Sequence, residues 1–200
     1  MLEYSFALSQ GEEPESPERG SSYSRAEFAL LELFVRARAV GEPGSRAVDV
    51  RRALLTNLLI TDSERTRVVV DRHELGRLFD RYLDDIAWEV FAPRLQLCDF
   101  LEDAIEYLQV ATAQTSERTG GWSPCICWFT TPDVDFDVVL QTLQHARNHQ
   151  FAGLVLGSWP HGPAVYVLED TTRPHGLELV RGTPTMTEEE AFCALSSCRT

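Results

Sequence analysis

No lysine occurs in the 200 residues, and all 18 basic side chains are arginine. The absence reads two ways: as the codon bias of a GC-rich bacterial or large-DNA-viral genome, or as avoidance of lysine-directed modification such as ubiquitin-type tagging. Positive charge is scarce as well. A formal charge of −13 and a pI near 4.8 exclude a generic nucleic-acid binder, because neutralising phosphates requires a basic surface. Long apolar runs are missing too. The stretches 28–31 and 68–70 fall well short of the roughly 18 to 20 residues that a membrane span needs. The first five residues, Met1 to Ser5, have neither the basic nor the apolar region of a secretory signal. The expected location is cytoplasmic, or nuclear in a eukaryotic host. Five cysteines (Cys98, Cys125, Cys127, Cys193, Cys198) at irregular spacing form no disulfide framework, so reduced thiols are expected. There is no G-x-S-x-G elbow and no Gly-rich phosphate loop, so no catalytic residue and no cofactor is assigned.

What is present is a core. Hydrophobic residues make up 44% and aromatics 10%, the composition of a folded chain. Residues 2–8 alternate apolar and polar as a half-buried strand does. Residues 10–23 are acidic and rich in Pro, Gly and Ser, which predicts a mobile loop. Ser24 with Glu27 has capping-box spacing ahead of an apolar helix that Gly41, Pro43 and Gly44 end. A second helix from about Asp49 turns Val50, Ala53, Leu54 and Leu58 inward and Arg51 and Arg52 outward. Residues 66–70 read as a strand. Asp71 with Glu74 caps a long helix whose stripe runs from Leu75 to Val90, and a further helix runs from Arg94 to about Ala113. After a polar, Gly-rich stretch at 115–123 the period becomes strand-like. Strands are expected at 125–130, 153–158, 164–169 and 177–181, with helices from Asp135 or Asp137 to Gln150 and from Thr187, which pairs with Glu190 as a capping box.

This pattern predicts an α+β fold with a mainly helical N-terminal half, residues 1–114, packed on a smaller mixed α/β C-terminal lobe, residues 115–200. The alternative is that both halves share one core in a single domain.

Several groups carry candidate chemistry. Asp133, Asp135 and Asp137 follow a strand and open a helix, where carboxylates can hold a divalent cation for phosphoryl chemistry or simply cap free amides. Cys125 and Cys127, two apart on a strand, project to one face as potential zinc thiolates or as small core residues. His145 and His149 have the i, i+4 spacing of a zinc pair, but Ala146 stands where a metalloprotease carries its general base, and the pair lies opposite the apolar stripe. Residues 82–85, Tyr-Leu-Asp-Asp, match a polymerase tetrapeptide but fall in a helix rather than a hairpin, and 55–59 match a Leu-x-x-Leu-Leu docking motif that also fits buried core. Trp159 and His161 sit on a Pro-flanked turn that could present a contact surface. Residues 61–113 are the most acidic stretch, with 12 acids against 6 Arg, and Asp99, Glu102, Asp103 and Glu106 share an outer face.

The function expected from these features is that of a non-catalytic protein-binding factor (an inhibitor, immunity-type protein, adaptor or viral host-modulating protein) whose acidic surface meets a neutral or basic protein partner. The alternative is a small divalent-metal-dependent enzyme acting on a phosphate-containing substrate.

Overall fold

A computed structural model describes residues 39–42, 47–61, 66–92, 94–117, 125–132, 134–145, 151–156, 159–161 and 185–199. Five strands, β1 (Ala39–Glu42), β2 (Thr66–Asp71), β3 (Leu95–Cys98), β4 (Cys125–Thr130) and β5 (Phe151–Leu156), alternate with four helices, α1 (Ala47–Ile60), α2 (Arg72–Phe79), α3 (Leu101–Glu117) and α4 (Phe136–His145). A last helix, α5 (Glu188–Ser196), follows. The strands form one sheet in the order β1-β5-β4-β2-β3, and every pairing is parallel.

The α+β expectation is therefore corrected. Strands from both sides of residue 115 interleave, with β4 between β5 and β2, so a helical half packed on a separate mixed lobe does not describe the chain. Residues 39–41, expected to finish the Ser24 helix, belong instead to β1, and two further misread segments account for the rest of the difference. Residues 95–98 form a strand, although Leu97 lies in phase with Leu101, Ala104 and Leu108 and makes a helical stripe appear to run through it. Strand period governs instead: Leu95 and Leu97 pack on one side of the sheet and Cys98 on the other. The long helix expected from Asp71 ends at Phe79 and gives way to 3-10 turns at Asp80–Tyr82 and Trp88–Phe91. There Phe79 meets Trp88 edge-on at 5.3 Å, and the Trp88 indole N–H donates to the Leu83 carbonyl at 2.8 Å. The expected N-terminal strand, the acidic loop and the Ser24 helix up to residue 38 lie outside the described residues, as do the segments 164–169 and 177–181.

Alternating side chains split the core into two layers. Val68 and Val70 of β2, Cys127 and Phe129 of β4, and Ala152 and Leu154 of β5 pack against α1, α2 and α5. Val69, Ile126, Trp128, Phe151 and Val155 pack against α3 and α4. Buried on both faces, the strands read as near-continuous apolar runs, as parallel strands do. The connections through α1 and α2 step across the sheet toward β3, and those through α3 and α4 step back. Right-handed crossovers couple a reversal of direction to a change of face, which is why the helices divide as they do.

The second correction concerns α1. Arg51 and Arg52, expected to face solvent, are both buried. The helix is covered by β2, α2 and α5 together, so it has almost no outward side, and a two-sided helical wheel misplaces both arginines.

Candidate functional site

In a parallel sheet all strands end along one edge, and here the helices following β2 and β3, and those following β4 and β2, leave to opposite faces. Those junctions are where open α/β sheets usually form a ligand crevice. Arg51, near the start of α1, reaches this edge and is 0% exposed. Its Nε and Nη2 donate to Glu74 Oε1 at 2.9 and 2.5 Å, its Nη1 to the Leu154 carbonyl at 2.7 Å and its Nη2 to the Thr130 carbonyl at 3.4 Å. The guanidinium also lies 5.4 Å from the Phe129 ring centroid. Glu74, 1% exposed, accepts from the Thr131 hydroxyl at 2.5 Å, and its own amide donates to Asp71 Oδ1 at 2.8 Å, which caps α2.

Arg52 completes the arrangement, donating to the Leu78 and Met186 carbonyls and to Asp49. Two adjacent arginines thus tie α1 to α2, to the ends of β4 and β5, and to the entry of α5. Removing one partner of such a buried pair leaves an uncompensated charge and costs about 3–5 kcal/mol. Burial pushes the Asp71 carboxyl above its ordinary range, with a further upward push from Glu74. Burial likewise raises the nearby Cys98 thiol, helped by Asp103, Asp71 and Asp99.

The same edge looks different on the α3/α4 side. Asp99 pairs with Arg72 at 2.9 Å across open surface. Asp103 accepts from the Phe100 amide at 3.1 Å at the start of α3, while Glu102 and Glu106 stand exposed one turn apart. Phe100, between these acids, is 68% exposed, and Val134, in the loop after β4, is 88% exposed. Asp135 and Asp137 flank the start of α4 on exposed positions. Trp159 is buried against Phe136 and His161, and His161 Nε2 lies 3.5 Å from Asp137 Oδ1. Since α3 and α4 pack side by side and both begin at this edge, the loops after β3, β4 and β5 bring Asp99, Glu102, Asp103, Phe100, Val134, Asp135, Asp137 and His161 to one end of the molecule.

Other sequence candidates do not join them. His145 is exposed, its Nδ1–H donating to the Gln141 carbonyl of its own helix at 2.7 Å. Cys125 and Cys127 lie at the opposite end of β4 on the α1/α5 side. Asp133 and His149 are outside the described residues. Among the described residues no group of three or more His, Cys, Asp or Glu side chains converges to hold a metal ion, and no helix is long and apolar enough to cross a membrane. Sequence reasoning missed Arg51, Glu74, Phe100 and Val134. The one signal for Phe100 is an aromatic just before a helix, out of phase with the stripe Leu97, Leu101, Ala104. Compared with known proteins, the chain matches no family model, no curated protein and no solved structure.

Proposed function

We propose that the protein is a non-catalytic binding factor that docks a basic protein surface against the strand-end edge where α3 and α4 begin. The observation that carries this reading is the exposure of Phe100 and Val134 among Asp99, Glu102, Asp103, Asp135 and Asp137. A large apolar side chain ringed by charge suits a desolvated anchor with a polar rim. The acids would steer a basic partner toward the edge and set its orientation, so complex formation weakens as salt shortens the screening length. On the α1 side of the edge Arg51 is paired with Glu74, Glu74 with Thr131, and Asp71 with the α2 amide, so those charges are committed to the fold, while the acids of the α3/α4 side are free to meet a partner.

The test is quantitative capture from native-host lysate at low and high salt, with the wild-type protein beside Phe100→Ser and the double variant Glu102→Arg, Glu106→Arg. The reading predicts a stoichiometric, salt-sensitive protein partner that both variants lose while keeping wild-type melting behaviour. A partner held equally by all three proteins contradicts it.

A further inference from the structure

At the strand ends, one row of side chains on the α3/α4 face of the sheet breaks the apolar pattern. The register pairs Asp71 of β2 with Cys98 of β3 and Thr130 of β4 with Val155 of β5, and the pairing of Val70 with Phe129 sets Asp71 beside Thr130. Side chains alternate along a strand. Val70 and Phe129 lie in the α1/α2/α5 core, and Val69, Trp128 and Cys98 in the other, so Asp71 and Thr130 turn toward α3 and α4 as Cys98 does. Adjacent strands stand about 4.8 Å apart, which makes Cys98, Asp71 and Thr130 a line about 10 Å long. It crosses the junction where the helices after β2 and β4 leave to opposite faces.

Thr130 is 0% exposed, and no group among the described residues hydrogen-bonds its hydroxyl. Thr56 Oγ1, Trp128 Nε1 and Ser196 Oγ are buried without a partner as well, but of these four residues Thr130 alone ends a strand of the sheet. A buried hydroxyl with nothing to bond weakens the fold, and a guest that donates to it would offset the loss. Beside it, Asp71 is 6% exposed. Its Oδ1 accepts from the Glu74 amide as the cap of α2, so it has at most one oxygen to offer a guest. No ion pair to Asp71 occurs among the described residues: Arg51 is held by Glu74 and Arg72 by Asp99.

These groups select the chemistry of the guest. Carboxylates at Asp71, and at Asp99 and Asp103 just beyond β3, disfavour an anion. A guanidinium fits a carboxylate through two parallel bonds, which an acid with one oxygen already engaged does not provide. A primary ammonium is a compact point charge with three donors and needs only single acceptors. The chain contains no lysine, so no ammonium side chain of its own competes for the place.

We propose that the Asp71 and Thr130 crevice is a primary-ammonium site, filled in the docked complex by a lysine side chain of the basic partner. Thr130 Oγ1 and the second Asp71 oxygen accept from the ammonium, while Asp99 and Asp103 at the mouth draw it in. Thr130 is covered in the unliganded chain, so the guest must part the strand ends, and a lone lysine analogue binds more weakly than its intrinsic contacts allow.

The experiment titrates the folded full-length protein with Nα-acetyl-lysine methylamide, and with the norleucine and arginine analogues as controls, reading the Asp71 and Thr130 backbone amide resonances. The lysine analogue should shift both saturably, the norleucine analogue should not, and the arginine analogue should bind about tenfold more weakly. Thr130→Val keeps the shape and removes the hydroxyl, and Asp71→Asn keeps the cap and removes the charge; each should weaken lysine binding by about tenfold or more. Thr130→Ser should stay within about threefold of wild type. Thr130→Val should at the same time raise Tm by about 2–4 °C, because it removes an unmet buried hydroxyl. A lowered Tm in that variant would give the hydroxyl a structural partner and overturn the proposal. So would lysine binding that Thr130→Val leaves unchanged, which would reduce it to pairing with exposed acids. The lysine of the docked complex rests on the docking reading, and the two fail separately. A protein that loses its partner with Phe100→Ser yet responds alike to the lysine and norleucine analogues keeps the docking edge and loses the ammonium site. One that binds the lysine analogue selectively but captures no protein keeps the site and loses the docked lysine.

Discussion

The two sides of the strand-end edge use charge in opposite ways. On the α1 side, Arg51 and Glu74 are fully withdrawn from water and joined to each other, to two strand carbonyls and to Thr131. On the α3/α4 side, Glu102, Glu106, Asp135 and Asp137 remain in water, and the ion pair between Arg72 and Asp99 is exposed on both partners. The first arrangement is committed to the fold, because each charge has lost its hydration and depends on a fixed partner. The second contributes little to the fold, since exposed ion pairs are worth about 0–1 kcal/mol, which leaves those groups available for recognition.

The largest expected effect is on the α1 side. Arg51→Ala or Glu74→Ala should each lower the unfolding free energy by about 3–5 kcal/mol in denaturant titrations. A loss below about 1 kcal/mol would mean that the pair behaves like surface charge and that the contrast is false. Next comes Phe100→Ser, which should weaken partner binding by about 2 kcal/mol or more, as hot-spot truncations do, while leaving stability within about 0.5 kcal/mol, as exposed substitutions do. A destabilised Phe100→Ser protein would transfer Phe100 to the structural side of the comparison.

The smallest effect concerns Asp71, at the seam between the two. Its native carboxyl is raised above the ordinary value of 3.8, so the folded chain binds this proton more tightly than the unfolded chain. Its contribution to stability is then full below pH 3.8 and declines as pH rises through the native value. Asp71→Asn keeps a good helix cap and removes the titration, so urea unfolding at pH 4 and pH 7 should show the variant gaining on wild type at the higher pH. A relative loss at pH 7 would show that the ionised carboxylate stabilises the cap.

Local signals carried the sequence reading furthest. The strands at 66–71 and 125–130, the strand at 151–156 (expected two residues later, at 153–158), the helix start at Asp71 and the full capping box of Thr187 with Glu190 rest on short-range patterns, and these were legible. The parallel sheet was not. It depends on a four-residue strand, 95–98, whose residues also fit the adjoining helical stripe, and the strand order follows from pairings between residues far apart in the chain. Arg51 was misread for a related reason. Nothing around residue 51 in the sequence indicates that Glu74, Thr130 and Leu154 will converge on it. The acids Asp99, Glu102, Asp103 and Glu106 were visible as a group, but Phe100 among them was hidden because an isolated aromatic ordinarily signals core.

The claim that the strand-end edge is a docking surface is tested most directly by placing a photo-crosslinking amino acid at position 100 and, as a control, at position 110. Val110 is also exposed and apolar but lies farther along α3. The account predicts that position 100 captures one protein from native lysate in a single, salt-sensitive product, and that position 110 does not. Equal capture from both positions, or none from position 100, would contradict it.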